Sequence, residues 1–372
     1  MPNTADGELT GKTFINETGS STAASGHATT VARNLFGRTH SIAPDIGENS
    51  SFPIHNYEAN DWLNTGYLNL AGASLPQTTP SRIANHSWVG SFGNDALDAD
   101  ALKRMDCVVD QDDYIQVAGL PLLATQGTGI LFRDSLNAIT VGTPDVNHKS
   151  GSVGIATDPT YNSGRIVPNL VAAGWDPGDS TVRTSWAAPM VSAAAALLLE
   201  NSQNNPGLSL GTVDHTRGSL NRTIQNAETS EVVKATLMAG ADRYVVQRGP
   251  DITDYTASSA NNLDPRFGAG QMNVHSSYNI QAAGEQNSAQ DGGVDVGPLG
   301  WDYDPAFGGL NDSNATASYF FDLDQPLVRL TATLAWNLDM VGDPGQGPFD
   351  ATLAATLYDL DLLLIDVHSG TT

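Results

Sequence analysis

The sequence predicts an α/β protein whose parallel sheet carries helices on both faces, followed by a smaller antiparallel β portion. Three observations predict it. Helical and strand-like patterns alternate from residue 1 to about 285, and strands separated by helices run parallel and are covered on both sides. From about 290 the texture changes to a glycine- and aspartate-rich stretch and then to segments of period two. A length of 372 residues is long for one core, and 40% hydrophobic against 16% charged residues describes a chain that folds rather than a disordered one.

The elements follow in order. "HATTVARNLFG" (27–37) reads as a short helix, "RIANHSWVG" (82–90) as a buried strand and "DALDADALKRMDCVVDQDD" (95–113) as an amphipathic helix. "YIQVAG" (114–119) and "NAITVGT" (137–143) are strands, "MVSAAAALLLE" is a buried helix, and "EVVKATLMAGAD" (231–242) is a further helix ending in glycine-containing sequence. In "LVRLTATLAW" (327–336), Val328, Leu330, Ala332, Leu334 and Trp336 share one face and Arg329, Thr331 and Thr333 the other. "LYDLDLLLID" (357–366) repeats the alternation, with Leu360, Leu362 and Leu364 opposite Asp359 and Asp361. Two half-buried strands of a β-sandwich are therefore expected there. The domain reading is a first unit over 1–285, its first strand incomplete, and a linker with a partial sandwich over 286–372. No internal repeat is visible.

Charge and cysteine usage exclude several functions. With 17 basic and 41 acidic residues, a net charge of −24, the chain lacks the basic footprint of a nucleic-acid binder. Its single cysteine, Cys107, forms no intramolecular disulfide and no zinc cluster by itself. No apolar run reaches the length of a membrane span, and "MPNTADGELTGKTF" has neither a basic nor an apolar leader region. The chain opens without a full first strand and stops just after a strand-like run, so we expect a piece of a longer protein whose export signal, if it has one, lies upstream.

The stretch "TSWAAPMVSAAAALLLE" (184–200) carries the chemistry. A serine hydroxyl is a poor nucleophile until a base takes its proton and donors catch the oxyanion, and a helix N-terminus offers free N–H groups and a positive dipole end. Ser185 sits at such a place, with Pro189 expected near the first turn, where its missing N–H costs little. The plain alternative is that Ser185 or Thr184 only caps the helix.

The rest of the motif resembles the nucleophile segment of the subtilisin-like serine proteases, Gly-Thr-Ser-x-Ala-x-Pro before a small-residue helix. Thr184, Ser185, Ala187 and Pro189 match it, and Arg183 stands where the family has glycine. "GHATTVARNLFGRTHSIAPD" is similar to the family's histidine motif, His-Gly-Thr-His-Val-Ala-Gly with a later Val-Ala-Pro: His27, Thr29, Val31, Ala32, Ala43 and Pro44 match, whereas Ala28, Thr30 and Arg33 depart. "RIANHSWVGS", "NAITVGTPD", "RIVPNLVAAG" and "RFGAGQMNVHSSY" resemble further family segments in the family's order. "LAWNLDMVGDPG" with "LYDLDLLLID" resembles the jelly-roll-like sandwich that follows the protease domain in larger members. The resemblance spans nearly the whole chain.

What the resemblance implies is a subtilisin-like fold and a secreted or cell-surface serine endopeptidase acting on polypeptides, with Ser185 as nucleophile and His27 as base. Two positions break the pattern. The side-chain amide donor of the oxyanion hole is replaced by Leu120 in "YIQVAGL", leaving the Ser185 backbone N–H and whatever donor the "ATQGTG" loop offers. The triad acid, which in the family ends the first strand, is Asp6, or is replaced by Asn3 in "NTADGEL", or lies with its strand upstream of the given sequence. A catalytically silent relative that binds peptide or serves structurally is thus the rival reading. An α/β-hydrolase fits poorly, because its Gly-x-Ser-x-Gly elbow is absent. No cofactor is expected, nor any EF-hand. The aspartates of "NLDMVGDPGQGPFD" and "YDLDLLLID" suit Ca²⁺ by chemistry, but as solvated charges of an acidic chain they need no ion.

Overall fold

Strand-forming runs rich in Ile and Val end in helices at several points, and the tertiary structure assembles them around one parallel sheet. The computed structural model describes residues 1–18, 23–70, 75–123, 130–155, 158–161, 165–176, 181–246, 252–253, 255–257, 262–286, 289–290, 294–305, 307–308, 315–321, 329–341 and 354–366. The chain begins with a 3-10 turn (Gly7–Leu9), strand β1 (Phe14–Asn16), helix α1 (Gly26–Phe36) and strand β2 (Ile54–Asn56), which pairs parallel with β1. Leu9, Ala32 and Phe36 close a small core with Phe14 and Ile54. A helical turn α2 (Ala59–Asp61) runs into a π-helical turn (Trp62–Gly66).

The main sheet has the order β3-β4-β5-β8, built from β3 (Ile83–His86), β4 (Ile115–Gly119), β5 (Ile139–Gly142) and β8 (Leu170–Val171), all parallel. Between β5 and β8 lies an antiparallel pair, β6 (Gly151–Val153) and β7 (Arg165–Val167). Helix α3 (Asp95–Asp112) covers one face of the sheet, and α4 (Thr184–Asn204) with α5 (Ser230–Ala239) covers the other. Strand β4 shows why both faces are needed. Ile115 and Val117 pack against Ala187, Val191 and Ala194 of α4, while Ala118 packs with Leu102, Met105 and Val108 of α3. The alanines of α4 let the helix lie close to the sheet: a Cβ on Gly119 would come within 3.1 Å of the Thr184 carbonyl oxygen.

After α4 come the hairpin strands β9 (Thr212–His215) and β10 (Arg222–Gln225), the pair β11 (Val245–Val246) and β12 (Ile252–Thr253), and α6 (Val274–Ala282). The first unit thus has the α/β architecture the patterns imply.

The C-terminal part holds separate antiparallel strands, though not at the two alternating segments. Its described strands are β13 (Ala289–Gln290), β14 (Val294–Asp295) and β15 (Ala317–Phe320) in one small mixed sheet, and β16 (Asp339–Val341) with β17 (Ala354–Thr356) in an antiparallel pair. Residues 329–336 and 357–365, read as alternating strands, form none. Leu330, Leu334, Leu362 and Leu364 are exposed. Period two gives a strand only where a partner strand supplies hydrogen bonds and an opposing layer covers the apolar side; the two segments run on from the β16–β17 pair, joined by the Trp336 indole donating to the Tyr358 carbonyl at 3.1 Å, but these leucines are left exposed. The burial moves instead to Leu338 and Met340, which enter the core beside α3.

Candidate functional site

The carboxyl end of the parallel sheet, where ligands gather in open α/β folds, meets the N-termini of two helices. Ser185 is the second residue of α4, whose N-cap Arg183 makes no side-chain cap bond. His27 is the second residue of α1, whose N-cap Ser25 accepts from the Ala28 N–H. Helix α1 packs along α4, and the His27 ring lies against Trp186, the residue after the serine, with centroids 5.1 Å apart. Partial burial and then the Arg183 charge lower the His27 pKa, so its ring is neutral at neutral pH, the form a base needs.

The serine is held by an arrangement that follows from Pro189. This proline is the sixth residue of α4, one turn deeper than the sequence suggested, and it has no N–H to offer the Ser185 carbonyl four residues back. The Ser87 hydroxyl, just past the end of β3, donates to that carbonyl at 3.0 Å, and the Ser185 hydroxyl donates to the Ser87 carbonyl at 3.2 Å. The Thr184 hydroxyl donates to the Leu120 carbonyl at 2.6 Å, tying α4 to the end of β4. Sequence reasoning did not single out Ser87. The signal was present in Pro189, because a proline inside a helix leaves a carbonyl that some donor must satisfy.

The candidate acids go elsewhere. Asp6 caps the first 3-10 turn, accepting from the Glu8 N–H at 3.0 Å, and Arg33 of α1 grips its carboxylate through Nε at 3.1 Å and through Nη2. That Arg33 pair is the chief cause holding the Asp6 pKa below its ordinary value. Asn3 turns its side-chain oxygen to the Ala5 N–H at 3.2 Å, and its own N–H donates to the Thr29 hydroxyl at 2.8 Å. Among the described residues no hydrogen bond joins His27 to Ser185, Asp6 or Asn3. Arg33 was visible in the sequence as a departure from a small residue, and its long side chain reaches the first turn and pairs with Asp6.

Leu120 is fully buried beside Val167, and its N–H is spent on the Val141 carbonyl. It offers an oxyanion nothing. The "ATQGTG" loop lies outside the described residues, as do 342–350 of the acidic stretch considered for Ca²⁺. Among the described residues no group of three or more His, Cys, Asp or Glu is arranged to hold a metal ion. Two open cavities, of about 330 and 460 Å³, lie away from the serine, one bordered by Pro76 and Arg217 and the other by Glu17 and Tyr57.

No family model matches the chain, and no curated protein matches it. Among solved structures it is similar to the prenylagaramide maturation protease PagA, at 16% identity and a TM-score of 0.42 over 75% of this chain and 90% of that one. A serine-to-alanine mutant of the PatA protease domain is similar at 18% identity and a TM-score of 0.45, over 77% and 94% of the two chains. The patellamide maturation protease PatA is similar at 18% and 0.42, over 77% and 95%. These likenesses are weak, and the reading of the site rests on its own geometry.

That geometry offers a serine and a neutral histidine at two adjoining helix ends, with Arg183 beside them and the buried, apolar Leu120 at the end of β4. Were the Ser185 hydroxyl brought to His27, acyl transfer would be the chemistry these two groups could perform. Among the described residues no helix is long and apolar enough to cross a membrane.

Proposed function

We propose that the chain is a serine endopeptidase of the subtilisin type, acting on polypeptides at the cell surface or outside it, with a slow acylation step. The observation that carries this reading is the meeting of α1 and α4, which sets His27 against Trp186 next to Ser185. In this mechanism the Ser185 hydroxyl leaves the Ser87 carbonyl and turns to His27. His27 takes its proton as Oγ attacks the peptide carbonyl carbon, and returns the proton to the leaving amine. Water then hydrolyses the acyl-enzyme by the same relay. The free N–H groups and dipole of α4 support the oxyanion.

A second reading, a disarmed relative that keeps the fold for peptide binding or structure, is favoured by one observation: Asp6 is committed to Arg33. The loss of the orienting acid costs roughly 10⁴ in turnover in the triad template, and the loss of one oxyanion donor roughly 10² to 10³.

Labelling with a fluorophosphonate probe separates the two. The expected outcome is slow labelling that disappears in Ser185→Ala and His27→Ala and accelerates in Leu120→Asn. No Ser185-dependent labelling in the natural sequence, together with its appearance in Leu120→Asn combined with Arg33→Ala, establishes the disarmed relative instead.

A further inference from the structure

The C-terminal segment Asn337–Val341 is clasped to the first unit by side chains that act on its backbone. The Asn137 amide behaves like a facing strand: its Oδ1 accepts from the Leu338 N–H at 2.6 Å and its Nδ2 donates to the Leu338 carbonyl at 3.1 Å. Gln111 donates to the Met340 carbonyl at 3.0 Å, Asp110 accepts from the Met340 N–H at 3.1 Å, and Asn337 donates to the Ser230 hydroxyl at 2.9 Å. Leu338 and Met340 fill the space beside Cys107, Val108 and Tyr114.

This clasp closes over carboxyl groups. Asp110 of α3 faces Asp339 of the segment itself, Asp113 at the end of α3, and Asp106. Glu231 of α5 accepts from the Ser230 hydroxyl at 3.0 Å and feels the charges of Asp113 and Asp110, and Lys234 and the phenol of Tyr303 in turn feel its own. Of the positive groups nearby, His215 lies 3.0 Å from Asp113, Arg82 pairs with Glu228 at 3.0 Å, and Arg222 donates to the Asp112 carbonyl at 2.6 Å. Among the described residues no ion pair is made by Asp110 or Glu231, and Lys234, the cation beside Glu231, gives its ammonium to the Leu136 and Asn137 carbonyls at 3.0 and 3.3 Å.

We propose that Asn337–Val341 is a proton-controlled latch, docked on the first unit while Asp110 and Glu231 are protonated and released as they ionise. Burial raises Asp110 to about 7 and also raises Glu231. Groups whose pKa is higher in the docked form take up protons on docking. Docking is thus strongest at low pH and is lost as pH rises through about 7. The consequence is an apolar segment, with Leu338 and Met340, presented to solvent only on the alkaline side. The inference is independent of whether Ser185 reacts.

Hydrogen exchange on the whole chain, corrected for intrinsic rates, tests it. Between about pH 6 and about pH 9 the protection of the Leu338 and Met340 amides is expected to fall by about tenfold or more, since each unit of pKa displacement is a factor of ten, while the β4 amides stay protected. Asp110→Asn, whose amide oxygen still accepts from Met340, removes one of the two titrations and Glu231→Gln the other, so each is expected to reduce the change and the two together to abolish it. Equal protection of the segment at both pH values overturns the latch. So does a parallel loss in β4, or an unaltered pH dependence in both variants.

Discussion

At the scale of single residues, Pro189 determines what Ser87 must do. A helix proline removes one N–H, the Ser185 carbonyl loses its partner, and the Ser87 hydroxyl replaces it. Because both groups lie at the buried end of β3, Ser87→Ala leaves an acceptor without a donor, and a loss of about 1–3 kcal/mol is expected from urea unfolding. Ser87→Ala combined with Pro189→Ala restores the helical N–H and is expected to recover most of that loss. If the double variant is no more stable than the single one, the Ser87 hydroxyl is not serving the proline's carbonyl.

Between elements, the turn from α3 to β4 shows how one side chain joins three of them. Asp113 ends α3 in the left-handed region at φ 49°, accepts from the Ser230 N–H at the start of α5 at 2.6 Å, and lies 3.0 Å from His215 of β9. A carboxylate at a helix N-terminus satisfies an orphan donor and complements the dipole. Asp113→Asn keeps the hydrogen bond and tolerates the backbone, so it is expected to cost well below what Asp113→Ala costs, about 1–3 kcal/mol. Thermal or denaturant unfolding of the two variants checks the order, and equal losses would show that charge rather than hydrogen bonding holds the junction. The same logic explains Asp6: a carboxylate goes to the nearest geometrically suited cation, and Arg33 on the adjacent face of α1 is that cation.

The whole molecule carries a pH signature from two buried imidazoles. His86, enclosed by Trp62, Trp88 and Phe132 and bonded to Gln116 at 2.7 Å, is pushed down to about 4 by burial. His148, between the Thr143 N–H and the Arg266 carbonyl, is pushed down to about 4 by burial as well. Each stays neutral in the folded chain while the unfolded chain takes a proton near the ordinary histidine value. Stability is therefore expected to fall as pH drops from about 6.5 toward about 4, by up to about 1.4 kcal/mol per pH unit for each ring, and to level off from this cause below that. His86→Gln is expected to reduce the slope in that window, as measured by denaturant unfolding at several pH values. An unchanged slope would place the acid sensitivity elsewhere.

The alternation of strand and helix, the apolar faces of β4 and α4, and the serine and histidine at helix starts are local patterns, fixed by periodicity and capping within a few residues. They were legible in the sequence for that reason. The partner of Asp6 was not, because it depends on how α1 lies over the first turn. The clasp of Leu338 by Asn137 was not, because the two meet only after the chain has closed over α3. The segments 329–336 and 357–365 show the limit from the other side: period two records what a strand would bury, but whether a partner strand stands beside it is decided by tertiary structure. Hydrogen bonds between distant side chains and the desolvation of carboxyls at Asp110 and Glu231 belong to the same class. Distance in space sets them, and neighbouring sequence does not encode it.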